Sequence, residues 1–105
     1  MLKVVIESPY VGDLVRNIKY ARLCLLDSLK RGEAPYLSHL IYPLVLDDRV
    51  PEQRKTGIQA GLEWGRVADL RVVYIDYGIT SGMKKGIEDA KIIHQPIKYR
   101  RIMGK

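Results

Sequence analysis

Apolar positions along the chain fall into short runs separated by amphipathic stretches. Residues 2–7, LKVVIE, form a brief run closed by Ser8-Pro9, the pattern of a parallel strand buried on both faces. Asp13 stands where an N-cap is wanted, and a helix is predicted from there to about Arg31. Its inward stripe is read as Leu14, Ile18, Ala21, Leu25 and Leu29. Gly32, after Lys30-Arg31, is a C-terminal stop. Residues 34–38 predict a second short strand, and His39 to Leu46 an apolar loop or helical turn. Asp47-Asp48 with Pro51 opens a second helix, to about Val67. Leu70 to Ile75 reads LRVVYI, a strand apolar on both faces. Thr80 or Ser81 caps a third helix to about Ile93, and residues 96–99 form the last strand.

Strands joined by helices predict an α/β fold: a minimal flavodoxin-like (Rossmann-like) three-layer sandwich. Its four-stranded parallel sheet takes the order 2-1-3-4. One domain spans residues 1–100, followed by a basic tail at 101–105. Such sheets bind ligands beyond the carboxyl ends of the strands, where the strand order reverses, here between strands one and three. The sequence gathers polar groups at that edge: Ser8, Tyr10, Gly12 and Asp13 after strand one, Ser38-His39 after strand two, and Asp76, Tyr77, Gly78, Thr80, Ser81 and Gly82 after strand three.

Gly12 and Gly82 each stand at a helix entry, where a ligand can approach bare backbone N–H groups, and Thr80 and Ser81 add hydroxyls. Phosphate or sugar hydroxyls suit that chemistry, although Asp13 and Ser81 also serve as caps. Tyr10 and Tyr77 either stack on a base or pack across the loop. Asp76 either holds a ribose hydroxyl or closes a turn with Gly78. His39 is a ligand contact or a structural hydrogen-bonder, and His94 faces solvent. Gly57, Gly61 and Gly65, four residues apart, make a flat strip on the second helix; it suits close packing on the sheet or a subunit contact.

Composition narrows the choice of partner. Eighteen Lys and Arg against twelve Asp and Glu give a formal charge of +6. The basic residues are scattered, with one dense group at Lys98, Arg100, Arg101 and Lys105. That distribution favours a small anionic ligand over nucleic acid. Cys24 is the single cysteine, expected as a buried thiol, so no intrachain disulfide or cysteine metal cluster forms. No histidines and acids show metal-ligand spacing, and neither a metal nor a cofactor is expected. The serines lack a His–Asp partner set for nucleophilic chemistry. Apolar runs fall short of a membrane span, and residues 1–7 do not read as a signal peptide; the expected compartment is the cytoplasm.

The strand into Ser8-Pro9-Tyr10 with Gly12-Asp13, and the strand into Asp76-Tyr77-Gly78-Ile79-Thr80-Ser81-Gly82-Met83, resemble the nucleoside 2-deoxyribosyltransferase-like superfamily. Ala34-Pro35, His39-Leu40 and Leu46-Asp47-Asp48 are similar to small phage and prophage proteins of that type. The likeness spans about residues 2–100. It implies a pocket for a nucleoside, with Met83 joining the ligand-binding set. It also implies a glutamate nucleophile on the third helix, four residues after the glycine; counted from Gly82 that position is Gly86. Glu88 lies about 200° around the helix from there, and Asp89 about 60° away but about 4.5 Å further along the axis.

Three functions follow. The first is a binding protein for a nucleoside, nucleotide or nucleotide-derived molecule, sequestering a metabolite or defence signal if phage-encoded. The second is an active N-glycosidase or deoxyribosyltransferase using Glu88 or Asp89. The third is a basic adaptor for nucleic acid or protein. A homo-oligomer is expected in the first two, with Tyr99, Trp64 and the glycine strip as candidate contacts.

Overall fold

The computed structural model describes residues 1–103. In chain order the elements are β1 (Lys3–Glu7), α1 (Leu14–Lys30), β2 (Ala34–Tyr36), two 3-10 turns (Ser38–Leu40 and Tyr42–Leu44), α2 (Pro51–Arg66), β3 (Leu70–Tyr74), α3 (Ser81–Ile92) and β4 (Ile97–Arg100). The strands form one parallel sheet in the order β2-β1-β3-β4, as the alternation of elements predicts. Among the described residues no helix is long and apolar enough to cross a membrane.

Side chains alternate across a strand, and here the alternation sorts core from site. Even-numbered Val4, Ile6, Leu70, Val72 and Tyr74 pack with Tyr20, Ala21 and Cys24 of α1. Odd-numbered Val73 packs with Met83 and Ile87 of α3, flanked by Ile75 and Ile97. Val5, Glu7 and Arg71 share that second face, where Val5 is level with Arg71 and Glu7 with Val73. One face is therefore a mainly apolar core under α1. The other carries an ion pair beneath α2 and α3.

The inward stripe of α1 differs from the one expected. Asn17, Tyr20, Ala21, Cys24 and Ser28 are buried, whereas Leu14 and Leu29 remain 46% and 48% exposed. Polar groups displace the leucines because each has a hydrogen-bond partner in the fold. Asn17 Nδ2 donates to the carbonyl of Tyr10 at 3.0 Å, Tyr20 Oη to Asp76 at 2.5 Å, and Ser28 Oγ to Glu33 at 2.7 Å. Cys24 lies fully buried, and that burial pushes its thiol up to about 12.

The helix ends follow their caps. Asp13 accepts from the Arg16 amide at 3.1 Å, and Thr80 Oγ1 from the Met83 amide at 3.2 Å. Gly32 takes the left-handed conformation (φ 82°) that stops α1. Of the dense basic group, Arg100 belongs to β4 and clasps Glu33 at 2.6 and 2.8 Å, and Lys105 lies outside the described residues.

Candidate functional site

Between the carboxyl end of β1 and the segment leading into α3 lies a cavity of about 220 Å³, below the usual size of small-molecule sites (roughly 300 Å³ upward). Val5, Ile6 and Glu7 of β1, with Arg71 from the start of β3, form its floor. The 3-10 segment from Ser38 to Leu46, α2 and the N-terminus of α3 form its walls. The glycine strip is part of the wall. A Cβ on Gly57 would lie 3.3 Å from Leu46 Cδ1, one on Gly61 3.2 Å from Ser38 Cβ, and one on Gly65 2.8 Å from Arg71 Nη2. All three glycines face inward, against the loop, β2's end and β3, which favours the packing reading.

Six of the expected binding residues line this cavity: Tyr10, His39, Thr80, Ser81, Gly82 and Met83. Tyr10 and His39 meet with ring centroids 5.0 Å apart. Burial, and then the nearby Asp48 carboxylate, raise the Tyr10 phenol. Burial holds His39 down to about 4 against the opposing pull of Asp48, so the imidazole is neutral near pH 7. Its Nδ1 is buried without a partner. At the other wall α3 presents its first turn, whose Ser81 and Gly82 amides precede the first intrahelical donor.

The remaining residues of the expected set sit elsewhere. Ser8 is fully buried behind the cavity, its Oγ unpartnered. Asp13 caps α1. Gly12 borders an adjoining open groove with Tyr10, Asp48 and Arg54. Gly78, at φ 82°, closes a turn onto the Ile75 carbonyl at 2.9 Å. Asp76 continues the even-numbered series that faces α1. It accepts from Tyr20 Oη and from the amides of Ile102 and Met103 at 3.0 and 2.9 Å. Burial opposes its ionisation, but those bonds outweigh it and hold Asp76 below the usual carboxylate range. Tyr77 lies edge-on to Tyr20 at 4.8 Å and under the Arg16 guanidinium at 4.0 Å. Asp76 and Tyr77 thus build the α1 side and do not line the cavity.

Neither Glu88 nor Asp89 lines it either. Glu88 points outward, as its angle on α3 requires. Asp89 is buried and held by Arg66 at 2.8 and 2.9 Å between α3 and α2. Beyond its first turn, α3 turns Lys85 and Gly86 to the cavity.

Two charged residues that the pattern reading passed over lie at the floor, Glu7 and Arg71. Arg71 is 1% exposed and Glu7 14%. Arg71 Nη1 donates to Glu7 Oε2 and its Nε donates to Gln95 Oε1 at 2.9 Å, while Nη2 is buried without a partner. Burial pushes the Glu7 carboxyl up to about 7, against the pull of Arg71. The signal was present in the sequence: a lone arginine inside LRVVYI and a lone acid ending LKVVIE. Ser38, Tyr42, Asp48, Arg54 and Lys85 add to the polar lining.

A solved structure shares this fold. The 2-deoxyribosyltransferase from the psychrotolerant bacterium Bacillus psychrosaccharolyticus, described as a biocatalyst for the synthesis of nucleosides, superposes with a TM-score of 0.70 at 18% identity. The match covers 98% of this chain and 74% of that one. The fold is therefore the Rossmann-like fold of nucleoside deoxyribosyltransferases. The chain itself belongs to the family described as Domain of unknown function (DUF7768), which matches residues 2–100. No curated protein matches it.

Proposed function

We propose that the cavity binds a nucleoside, a nucleotide or a molecule derived from one. The observation that carries this reading is a concave site where buried, unpartnered polar atoms meet a helix N-terminus. His39 Nδ1 and Arg71 Nη2 lack partners, although buried polar groups are nearly always satisfied in native proteins. A polar ligand supplies what they lack. The first turn of α3, with the Thr80 and Ser81 hydroxyls and Lys85, suits a phosphate or sugar hydroxyls. Tyr10 offers an aromatic face for a base. The fold shared with a deoxyribosyltransferase supports the same ligand class.

Calorimetry against nucleosides, their 5′-monophosphates and ADP-ribose tests the reading. Binding to at least one of them is expected, weakened about tenfold or more by Tyr10→Ala. No heat across the panel removes the proposal. Self-association belongs to the same reading: Trp64, Tyr99 and the outward leucines of α1 leave apolar surface exposed that a second copy would cover. Sedimentation of the chain as a monomer at micromolar concentration would count against that part alone.

A further inference from the structure

The ion pair on the cavity floor leaves one atom over on each partner. Arg71 commits Nε to Gln95 Oε1 at 2.9 Å and Nη1 to Glu7 Oε2. Its Nη2 is buried without a partner, on a side chain that is 1% exposed. On Glu7, Oε1 accepts no hydrogen bond among the described residues, and the side chain is 14% exposed where it meets the cavity. The guanidinium is held in place. Gln95 Nε2 donates to the carbonyls of Gly65 and Ala68 at 2.8 and 2.9 Å, which turns the oxygen of the same amide onto Arg71 Nε and fixes the fork. Gly86 of α3 gives the carboxylate its room: a Cβ there would lie 2.8 Å from Glu7 Oε1.

The charges around the pair nearly balance while Glu7 is ionised. Three cations line the cavity, Arg54, Arg71 and Lys85, against two acids, Glu7 and Asp48. Asp89 of α3 also faces Glu7 and is itself clasped by Arg66 of α2, while His39 stays neutral. One proton on Glu7 takes the lining from a net charge of +1 to +2, in favour of an anion. That proton is at hand near neutrality, because burial pushes Glu7 up to about 7 against the pull of Arg71, with Asp89 adding a smaller push. An anion on Nη2 would share one guanidinium with Glu7, within the roughly 4–6 Å at which like charges raise a carboxyl's hold on its proton. The two negative charges therefore compete for Arg71, and protonation of Glu7 ends the competition.

We propose that the cavity floor is a proton-linked phosphate subsite, where a phosphate oxygen of the ligand accepts from Arg71 Nη2 while Glu7 takes up one proton. This deepens the ligand class argued above and rests on it. The proton comes from solvent and sits on Oε1, since Oε2 accepts from Arg71; Oε1 then becomes a donor towards the same phosphate. Binding is strongest below neutrality, and the subsite lets its ligand go as pH rises. A phosphate held only by the first turn of α3 would bind without any of this.

Calorimetry of the full chain with ADP-ribose and with inorganic sulfate, in two buffers of different ionisation heat, counts the protons taken up. Both probes keep a constant charge from pH 5.5 to 8.5. Uptake of about one proton per anion is expected at pH 8 and almost none at pH 5.5, with affinity falling about tenfold per unit above 7. Glu7→Gln fixes the uncharged form. It should bind ADP-ribose about tenfold tighter than the parent chain at pH 8, within about threefold of it at pH 5.5, and with no proton uptake. A merely structural role for Glu7 would give no such gain. Arg71→Met should weaken both anions at least about tenfold. Anion binding without proton uptake at pH 8 overturns the subsite while leaving the ligand reading intact, and that measurement needs no variant to fold. So does a parent affinity that stays level from pH 5.5 to 8.5, Glu7→Gln that binds no tighter at pH 8, or a chain that binds uncharged nucleosides and neither anion. No binding of nucleosides, ADP-ribose or sulfate takes down both.

Discussion

At the residue scale, what decides a side chain's role here is which face of the sheet its strand parity assigns it. Asp76 follows Val72 and Tyr74 on the even-numbered face, so its carboxylate meets Tyr20 and the amides of Ile102 and Met103 and ties the chain beyond β4 to α1. Removing it strands three donors, at about 1 kcal/mol or more apiece. Asp76→Ala should therefore lower the urea-unfolding free energy by about 2–3 kcal/mol and leave ligand affinity within threefold. A tenfold loss of affinity at unchanged stability would instead place Asp76 at the ligand. Arg71 shows the converse. It follows Leu70 onto the odd face, where its guanidinium favours the ionised form of Glu7. Arg71→Met removes that pull, and the Glu7 carboxyl should titrate at least one unit higher in a carbon-detected NMR titration. Sequence showed that the ends of β1 and β3 adjoin. It did not show which face each following residue takes, so Asp76 and Tyr77 were expected at the cavity and Glu7 and Arg71 were not.

At the scale of elements, α2 stands apart from α1 and α3. Each of those buries five residues, whereas α2 buries Gly65 alone. Two interior glycines, Gly57 and Gly61, weaken α2 further, by about 1 kcal/mol each, and its inner side borders the cavity rather than a filled core. Helices with few buried apolar contacts open locally at low cost. Amides of α2 should exchange with deuterium faster than those of α1, and a bound ligand should slow them; equal exchange in the two helices would contradict this. The caps and stops of α1 and α3 were legible because they depend on neighbours in sequence: Asp13, Gly32 and Thr80 act within four residues. The inward stripe of α1 was not, because Asn17, Tyr20 and Ser28 owe their burial to Tyr10, Asp76 and Glu33, partners that only the tertiary fold supplies.

For the whole molecule, the buried ionisable groups set the pH dependence of stability through opposing contributions. Arg100 first, with Ser28 against the cost of burial, holds Glu33 down to about 2 from an ordinary 4.5. That stabilisation is complete above 4.5 and is lost as pH falls towards 2. His39, held at about 4 against an ordinary 6.5, stays neutral in the fold while the unfolded chain takes a proton; stability therefore rises with pH between 4 and 6.5. Glu7 does the reverse. Its carboxyl, pushed up to about 7 from 4.5, keeps a proton that the unfolded chain has lost, so stability falls as pH rises from 4.5 through 7. Each slope is about 1.4 kcal/mol per pH unit for one proton. Between pH 4.5 and 6.5 they oppose each other, and the parent chain should show a nearly level free energy of unfolding across that window. Glu7→Gln removes the falling limb and should leave stability rising with pH, whereas His39→Gln should leave it falling. Urea titrations at half-unit intervals resolve the two slopes. If both variants keep the parent's profile, the buried carboxylate and imidazole at the cavity do not ionise as their surroundings require.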